Sequence, residues 1–285
     1  LGFEGVLFGV AALLTLGVSD FLSARLYRRV GALRAPMYHM AVSALFVGAY
    51  VLAFPQPFSA EPLPVFAFLA SLAAGTIGIL SWYKGMGMAG LSVAAPMIST
   101  WAIVPVVLAV LLLGERLTPL HVAGIASALL GVLLVSTRLR KLRGVRVESV
   151  KGVDWILAAL FGIGLSFFLG KPVVDAWGAI LPLFLFRVGA VALYSGFGAA
   201  TGRDISIPNA AAWPLVTLTG LGYLFGLMFY NMGISTDFVS IVAPVTALSP
   251  VVTIALAHWL LGERLELNQY VGVAFALLGV VLLAL

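Results

Sequence analysis

Two stretches of this chain repeat one another at a constant spacing. Residues 92–134 carry Ser92, Ala95-Pro96, Leu112-Leu113-Gly114-Glu115-Arg116-Leu117, Gly124 and Leu129-Leu130-Gly131-Val132. Residues 240–282 answer with Ser240, Ala243-Pro244, Leu260-Leu261-Gly262-Glu263-Arg264-Leu265, Gly272 and Leu277-Leu278-Gly279-Val280. Every pair, Gly114 and Gly262 among them, is 148 positions apart. A constant offset without a gap, held across two apolar segments and their connector, marks internal duplication; shared composition would not keep register. The fold must therefore hold two copies of one unit. Both copies are apolar enough to lie in lipid, and a duplicated membrane domain points to transport.

The solvent of this chain follows from its composition. Hydrophobic residues make up 62% and charged residues 9%, against about 25% charged in an average soluble protein. Mean hydropathy is +1.14, more apolar side chain than a soluble core could hide. A spanning helix needs roughly 20 apolar residues, so ten of them nearly exhaust 285 residues. That leaves no room for a soluble catalytic domain or a nucleic-acid-binding one. Hydropathy predicts helices near 4–24, 36–54, 64–84, 91–113, 118–137, 153–171, 180–199, 211–230, 238–261 and 267–285. The expected fold is an all-α polytopic membrane protein, with repeats over 1–137 and 153–285 and a basic linker over 138–152. Five spans per repeat is odd, so the copies cross the membrane in opposite senses as inverted repeats.

Several chemistries are excluded or disfavoured. Cysteine is absent, which removes disulfides, thiolate catalysis and Cys-based metal sites. The three histidines, His39, His121 and His258, fall on different predicted helices, so no metal site is expected. There is no phosphate-binding loop, no His-Glu-x-x-His and no nucleophile elbow, and no cofactor is expected. The first segment lacks a basic start and carries Asp20 near its end, so it reads as a spanning helix rather than a signal peptide.

The duplicated endings, "LSVAAPMISTWAIVPVVLAVLLLGERLTPLHVAGIASALLGVLLVS" and "VSIVAPVTALSPVVTIALAHWLLGERLELNQYVGVAFALLGVVLLAL", resemble the EamA family of the drug/metabolite transporter superfamily. The Ala-Pro, Gly-Glu-Arg-Leu and Leu-Gly-Val elements carry the likeness. It covers spans 3–5 and 8–10 by motif, and the remaining spans by hydropathy and count. The resemblance implies a secondary transporter of small metabolites. Members move amino acids, nucleotide-sugars, cations and other metabolites, so it does not choose the substrate.

The residues themselves suggest where a site would lie. Arg187 is the sole charge within an apolar segment, and a central arginine must face the bundle interior or an aqueous cavity. It is the candidate anchor for a carboxylate or phosphate; snorkelling or a structural pair with Asp20 is the plainer reading. Asp20 closes the first predicted helix and His39 opens the second, so the two are candidate neighbours for proton relay; alternatively Asp20 caps its helix and pairs with Arg25 or Arg28. Trp82, Tyr83, Trp101, Tyr223 and Tyr230, with Ser99 and Thr246, are candidate cavity walls, although aromatics at helix ends often form interfacial belts. Pro96, Pro244 and Pro250 are candidate gating kinks, since a proline inside a helix frees a carbonyl that needs a protein or water partner. Gly114-Glu115-Arg116 and its copy read as structural: the glycine ends one helix and the glutamate favours the start of the next.

The expected function is alternating-access transport, as an exporter of small metabolites such as amino acids, by a monomer in a prokaryotic plasma (inner) membrane. Protons are a candidate coupling ion, and no nucleic-acid partner is expected. A membrane-embedded lipid-modifying enzyme is the alternative. On orientation two lines disagree: Arg28, Arg29, Arg34 and the 138–146 cluster place their connectors in the cytoplasm and the termini outside, whereas the resemblance implies termini inside, which is the orientation expected here.

Overall fold

A computed structural model describes residues 3–142 and 151–285. Arg143 and Arg146 of the expected linker lie outside the described residues. The elements are α1 (Phe3–Val30), α2 (Arg34–Ala53), α3 (Pro62–Ala89), α4 (Leu91–Ile98), α5 (Ile103–Leu112), α6 (Pro119–Ser136), α7 (Leu139–Leu142), α8 (Val153–Trp177), α9 (Leu181–Ala200), α10 (Trp213–Thr236), α11 (Val239–Thr246), α12 (Ser249–Leu261) and α13 (Leu267–Ala284). Among the described residues, ten segments are long and apolar enough to cross a membrane, with α4–α5 and α11–α12 each forming one span.

Two spans break where the sequence predicted kinks. Pro96 sits inside α4 and Pro244 inside α11, and each lacks the N–H that would bond the preceding turn. The chain then passes through tighter bonds, such as Trp101 N–H to Ile98 C=O (3.0 Å) and Leu248 N–H to Val245 C=O (3.1 Å). Pro250 lies in the first turn of α12, where a missing N–H leaves nothing unsatisfied. It starts a helix rather than bending one.

Three helices outrun their predicted ends. α1 continues to Val30, because Arg25, Arg28 and Arg29 are good helix formers placed where the dipole favours cations. Asp20 is therefore well inside the helix and does not cap it. α3 reaches Ala89, and α8 reaches Trp177, which leaves Lys171 inside α8.

The packing follows the duplication. α1 lies on α10 and α3 on α8, while α6 pairs with α13 and α2 with α9. Exchanging the two repeats maps each of these pairs onto another or onto itself. Small residues set the closest approaches, as expected for helices in lipid. A Cβ on Gly131 would lie 2.5 Å from Ala276 N, and one on Gly279 would lie 2.7 Å from Ala128 N. Ser127 Oγ donates to Phe275 C=O across the same seam (2.7 Å).

The symmetry also reaches the first span of each repeat, at an offset one residue shorter. A Cβ on Gly17 of α1 would meet Ser249 O at 2.6 Å, and one on Gly164 of α8 would meet Trp101 O at 2.7 Å. Ser249 and Trp101 are 148 apart; Gly17 and Gly164 are 147 apart. The first span of each repeat is thus equivalent after a slip of one residue.

Candidate functional site

Arg187 is the seventh residue of α9 and is 3% exposed. Its Nη1 donates to Leu183 C=O (3.2 Å) and its Nη2 to Tyr223 C=O (3.3 Å). The ion pairs among the described residues are Arg34–Asp204, Arg138–Glu263 and Lys171–Asp175, so no carboxylate balances Arg187. The pairing with Asp20 weighed from sequence does not form. A cavity of about 100 Å³ opens beside the guanidinium. Arg187, Tyr230, Asn231 and the hydrogen-bonded pair Ser71–Ser166 (2.9 Å) supply its polar lining. Phe68, Phe167 and Phe186 supply much of the rest.

The predicted aromatics divide into two groups. Trp101 packs on Phe167 at 4.2 Å between ring centroids, and Phe167 on Tyr230 at 4.8 Å. This group borders the Arg187 cavity through Phe167 and Tyr230. Tyr223 instead stacks on His39 (5.0 Å) and Tyr83 meets Tyr27 edge-on (5.4 Å). Trp82 is half-buried on α3. Ser99 turns its hydroxyl back to Pro96 C=O (2.8 Å), whereas Thr246 is buried with an unpartnered hydroxyl.

Asp20 joins three helices. It accepts hydrogen bonds from Tyr223 OH of α10 (2.6 Å) and from Ser249 Oγ at the start of α12 (3.0 Å). Neither Arg25 nor Arg28 pairs with it within ion-pair distance. His39 reaches this carboxylate only through the intervening Tyr223 ring. Because Ser249 begins α12 directly after the α11 break, Asp20 ties α1 to a hinge. His39 Nδ1, Thr76 Oγ1, Tyr194 OH and Thr219 Oγ1 are buried without a partner among the described residues. Buried polar atoms are rarely left so unless water or a solute reaches them.

The internal symmetry relates the two groups. With the one-residue slip, Asp20 corresponds to Phe167, and Ser249 corresponds to Trp101. The contact that is acid to hydroxyl in one half is ring to ring in the other. Sequence reading missed Phe167, Asn231, Ser71 and Ser166. The 147 offset through Gly17 and Gly164 was the signal that could have found Phe167.

Glu115 departs from its expected role. It is 7% exposed and accepts from Val239 N–H (2.9 Å), Ser240 N–H (2.9 Å) and Ser240 Oγ. It therefore caps α11 in the other repeat, a favourable place for a carboxylate. The next helix, α6, is capped by Thr118. Gly114 and Gly262 do end their helices, at φ +67 and +68.

Two five-span repeats, paired helix breaks and a buried arginine at a cavity are what the two sequence copies build. The chain belongs to the EamA-like transporter family, which matches residues 3–137 and 150–285, and is an integral membrane protein. It is 27% identical over 174 residues to a protein of Escherichia coli (strain K12) named "Probable amino-acid metabolite efflux pump". A protein of the same name from Salmonella typhimurium is 27% identical over 173 residues. Each match spans 58% of this chain and 58% of the relative. One solved crystal structure aligns over 98% of this chain and 95% of its own, with TM-score 0.78 and 17% identity. At that identity the likeness is one of fold alone.

Proposed function

We propose that this protein exports a small amino-acid-type metabolite across a bacterial inner membrane by alternating access, acting as a monomer. The observation that carries the reading is Arg187, buried at a cavity whose lining, among the described residues, holds no carboxylate. Such a cation is tolerated in a membrane interior where an anionic solute or water meets it. The relatives named as amino-acid metabolite efflux pumps support the solute class. The breaks after Pro96 and Pro244 supply paired gating points, with Pro250 starting the inner segment of one. Trp101 and Tyr230 back the cavity, and Tyr223 links it to Asp20. The lipid-modifying enzyme is not favoured: it would need Asp20 and His39 acting together, and the Tyr223 ring lies between them.

Asp20 is the proposed proton-coupling group, because its carboxylate holds Ser249 at the α12 hinge. Protonation would weaken that hold. Proteoliposomes loaded with mixed radiolabelled amino acids and their metabolites test the reading: saturable counterflow is expected from the wild type. Asp20→Asn should keep counterflow but lose accumulation driven by an imposed pH gradient. Equal gradient-driven accumulation in both proteins would remove Asp20 from coupling, and absence of counterflow in the wild type would remove the carrier.

Charge distribution bears on orientation. Of the 16 Lys and Arg residues, all but Arg116, Lys171 and Arg187 fall, by position in the sequence, within or beside the odd-numbered connectors. The positive-inside rule therefore favours that face in the cytoplasm and both termini outside, against the orientation implied by resemblance alone. A C-terminal phosphatase fusion should be active and a fluorescent-protein fusion dark. The reverse pattern would invert the assignment.

A further inference from the structure

The Arg187 cavity differs from a zwitterion site in what it lacks. Its lining holds one guanidinium and no Asp or Glu; the other polar groups are the neutral Ser71, Ser166, Tyr230 and Asn231. Asn231 already donates its amide to Ala179 C=O (2.9 Å), and Tyr230 donates to Phe167 C=O (3.3 Å). Asp20 is placed at the far end of Tyr223. Arg187 holds the backbone carbonyl of that tyrosine, whereas Asp20 holds its hydroxyl.

Resting on the carrier reading, we infer that the site takes monoanionic carboxylates with a short apolar body in preference to the parent amino acids. A guanidinium with N–H groups to spare offers a carboxylate charge-assisted, geometrically matched bonds. A substrate ammonium would have to leave water for a chamber walled by Phe68, Phe167 and Phe186, with no carboxylate to receive it. Burying a charge without a counter-charge is costly, so the ammonium is selected against. Size points the same way. The cavity measures about 100 Å³, below the ~150 Å³ that accommodates benzene in an engineered apolar cavity. Only the apolar end of the solute has to enter that space, with its carboxylate on the guanidinium: the four carbons of an isobutyl group are fewer than benzene's six, whereas an indole or a long acyl tail exceeds it.

Leucine and 4-methyl-2-oxopentanoate form a matched pair, with one carbon skeleton and a keto oxygen in place of the ammonium. Binding is read first, as thermal protection of the purified protein in detergent, and transport second, as counterflow in proteoliposomes. The oxo acid should protect at a concentration at least tenfold lower than leucine. Arg187→Gln should reduce that advantage to less than threefold. Dodecanoate serves as the lipid-like arm and should protect more weakly than the oxo acid.

Equal or better protection by leucine overturns the inference, as does stronger protection by dodecanoate or no protection by the oxo acid. The wild-type comparison decides even if Arg187→Gln does not fold. Protection by the oxo acid without counterflow would leave the anion site standing and defeat the carrier reading instead.

Discussion

Arg187→Gln should lower solute flux by about 100-fold or more while the protein remains folded and monodisperse. A buried charge that meets an oppositely charged group contributes about 3 kcal/mol or more to binding when its partner is present. Its removal should therefore appear chiefly in the half-saturation concentration. The fold should tolerate the change because, among the described residues, Arg187 makes no ion pair and donates to the Leu183 and Tyr223 carbonyls alone. Arg187→Lys should recover only part of the loss, since an ammonium keeps the charge but not the planar fork. Flux measured in proteoliposomes, beside size-exclusion profiles, checks both halves of the expectation. Wild-type flux in the glutamine variant would move the binding site elsewhere. Collapse on purification would make the arginine a structural residue.

The largest stability effect is expected at the seam between α6 and α13. Gly131→Val places two new methyl groups against the backbone of Ala276, whose N would lie 2.5 Å and Cα 2.9 Å from the first added carbon. Backbone cannot swing aside as a long side chain can, so the helices must separate. The expected cost is about 3 kcal/mol, at the upper end for overpacking. Gly279→Val should behave alike, because its added carbon meets Ala128 N at 2.7 Å by the same symmetry. Gly196→Ala on α9 is the control: nothing lies within 4 Å of its added Cβ, and alanine favours a helix over glycine by about 1 kcal/mol. Thermal denaturation in detergent should show both valine variants well below wild type and the alanine variant at or above it. Unchanged melting of Gly131→Val would mean that the seam is looser than described.

How much of this was legible beforehand depends on the kind of information each residue carries. Hydropathy is a local property that lipid reads directly, so the ten spans were countable from composition along the chain. The duplication was legible because α4–α6 and α11–α13 kept residues such as Gly131 and Gly279, which leave no room for a side chain at the seam. Helix ends were less legible. Hydropathy falls where Arg25, Arg28 and Arg29 begin, yet these residues continue a helix readily, so α1 runs on to Val30.

The site was legible only in part. Arg187 stood out because one charge in an apolar helix is conspicuous without knowledge of its neighbours. Its lack of a carboxylate partner could not be read, since that depends on the placement of helices far apart in the chain. The same holds for Glu115, whose sequence neighbours suggested a cap on α6 while its carboxylate reaches Ser240, 125 residues away. Asp20 and His39 looked adjacent across a short connector, yet the Tyr223 ring from α10 stands between them. Periodicity and hydropathy sum over many residues and survive without coordinates. A single contact across two repeats depends on helix packing to within about an ångström, so only the assembled bundle decided the partners of Arg187, Asp20 and Glu115.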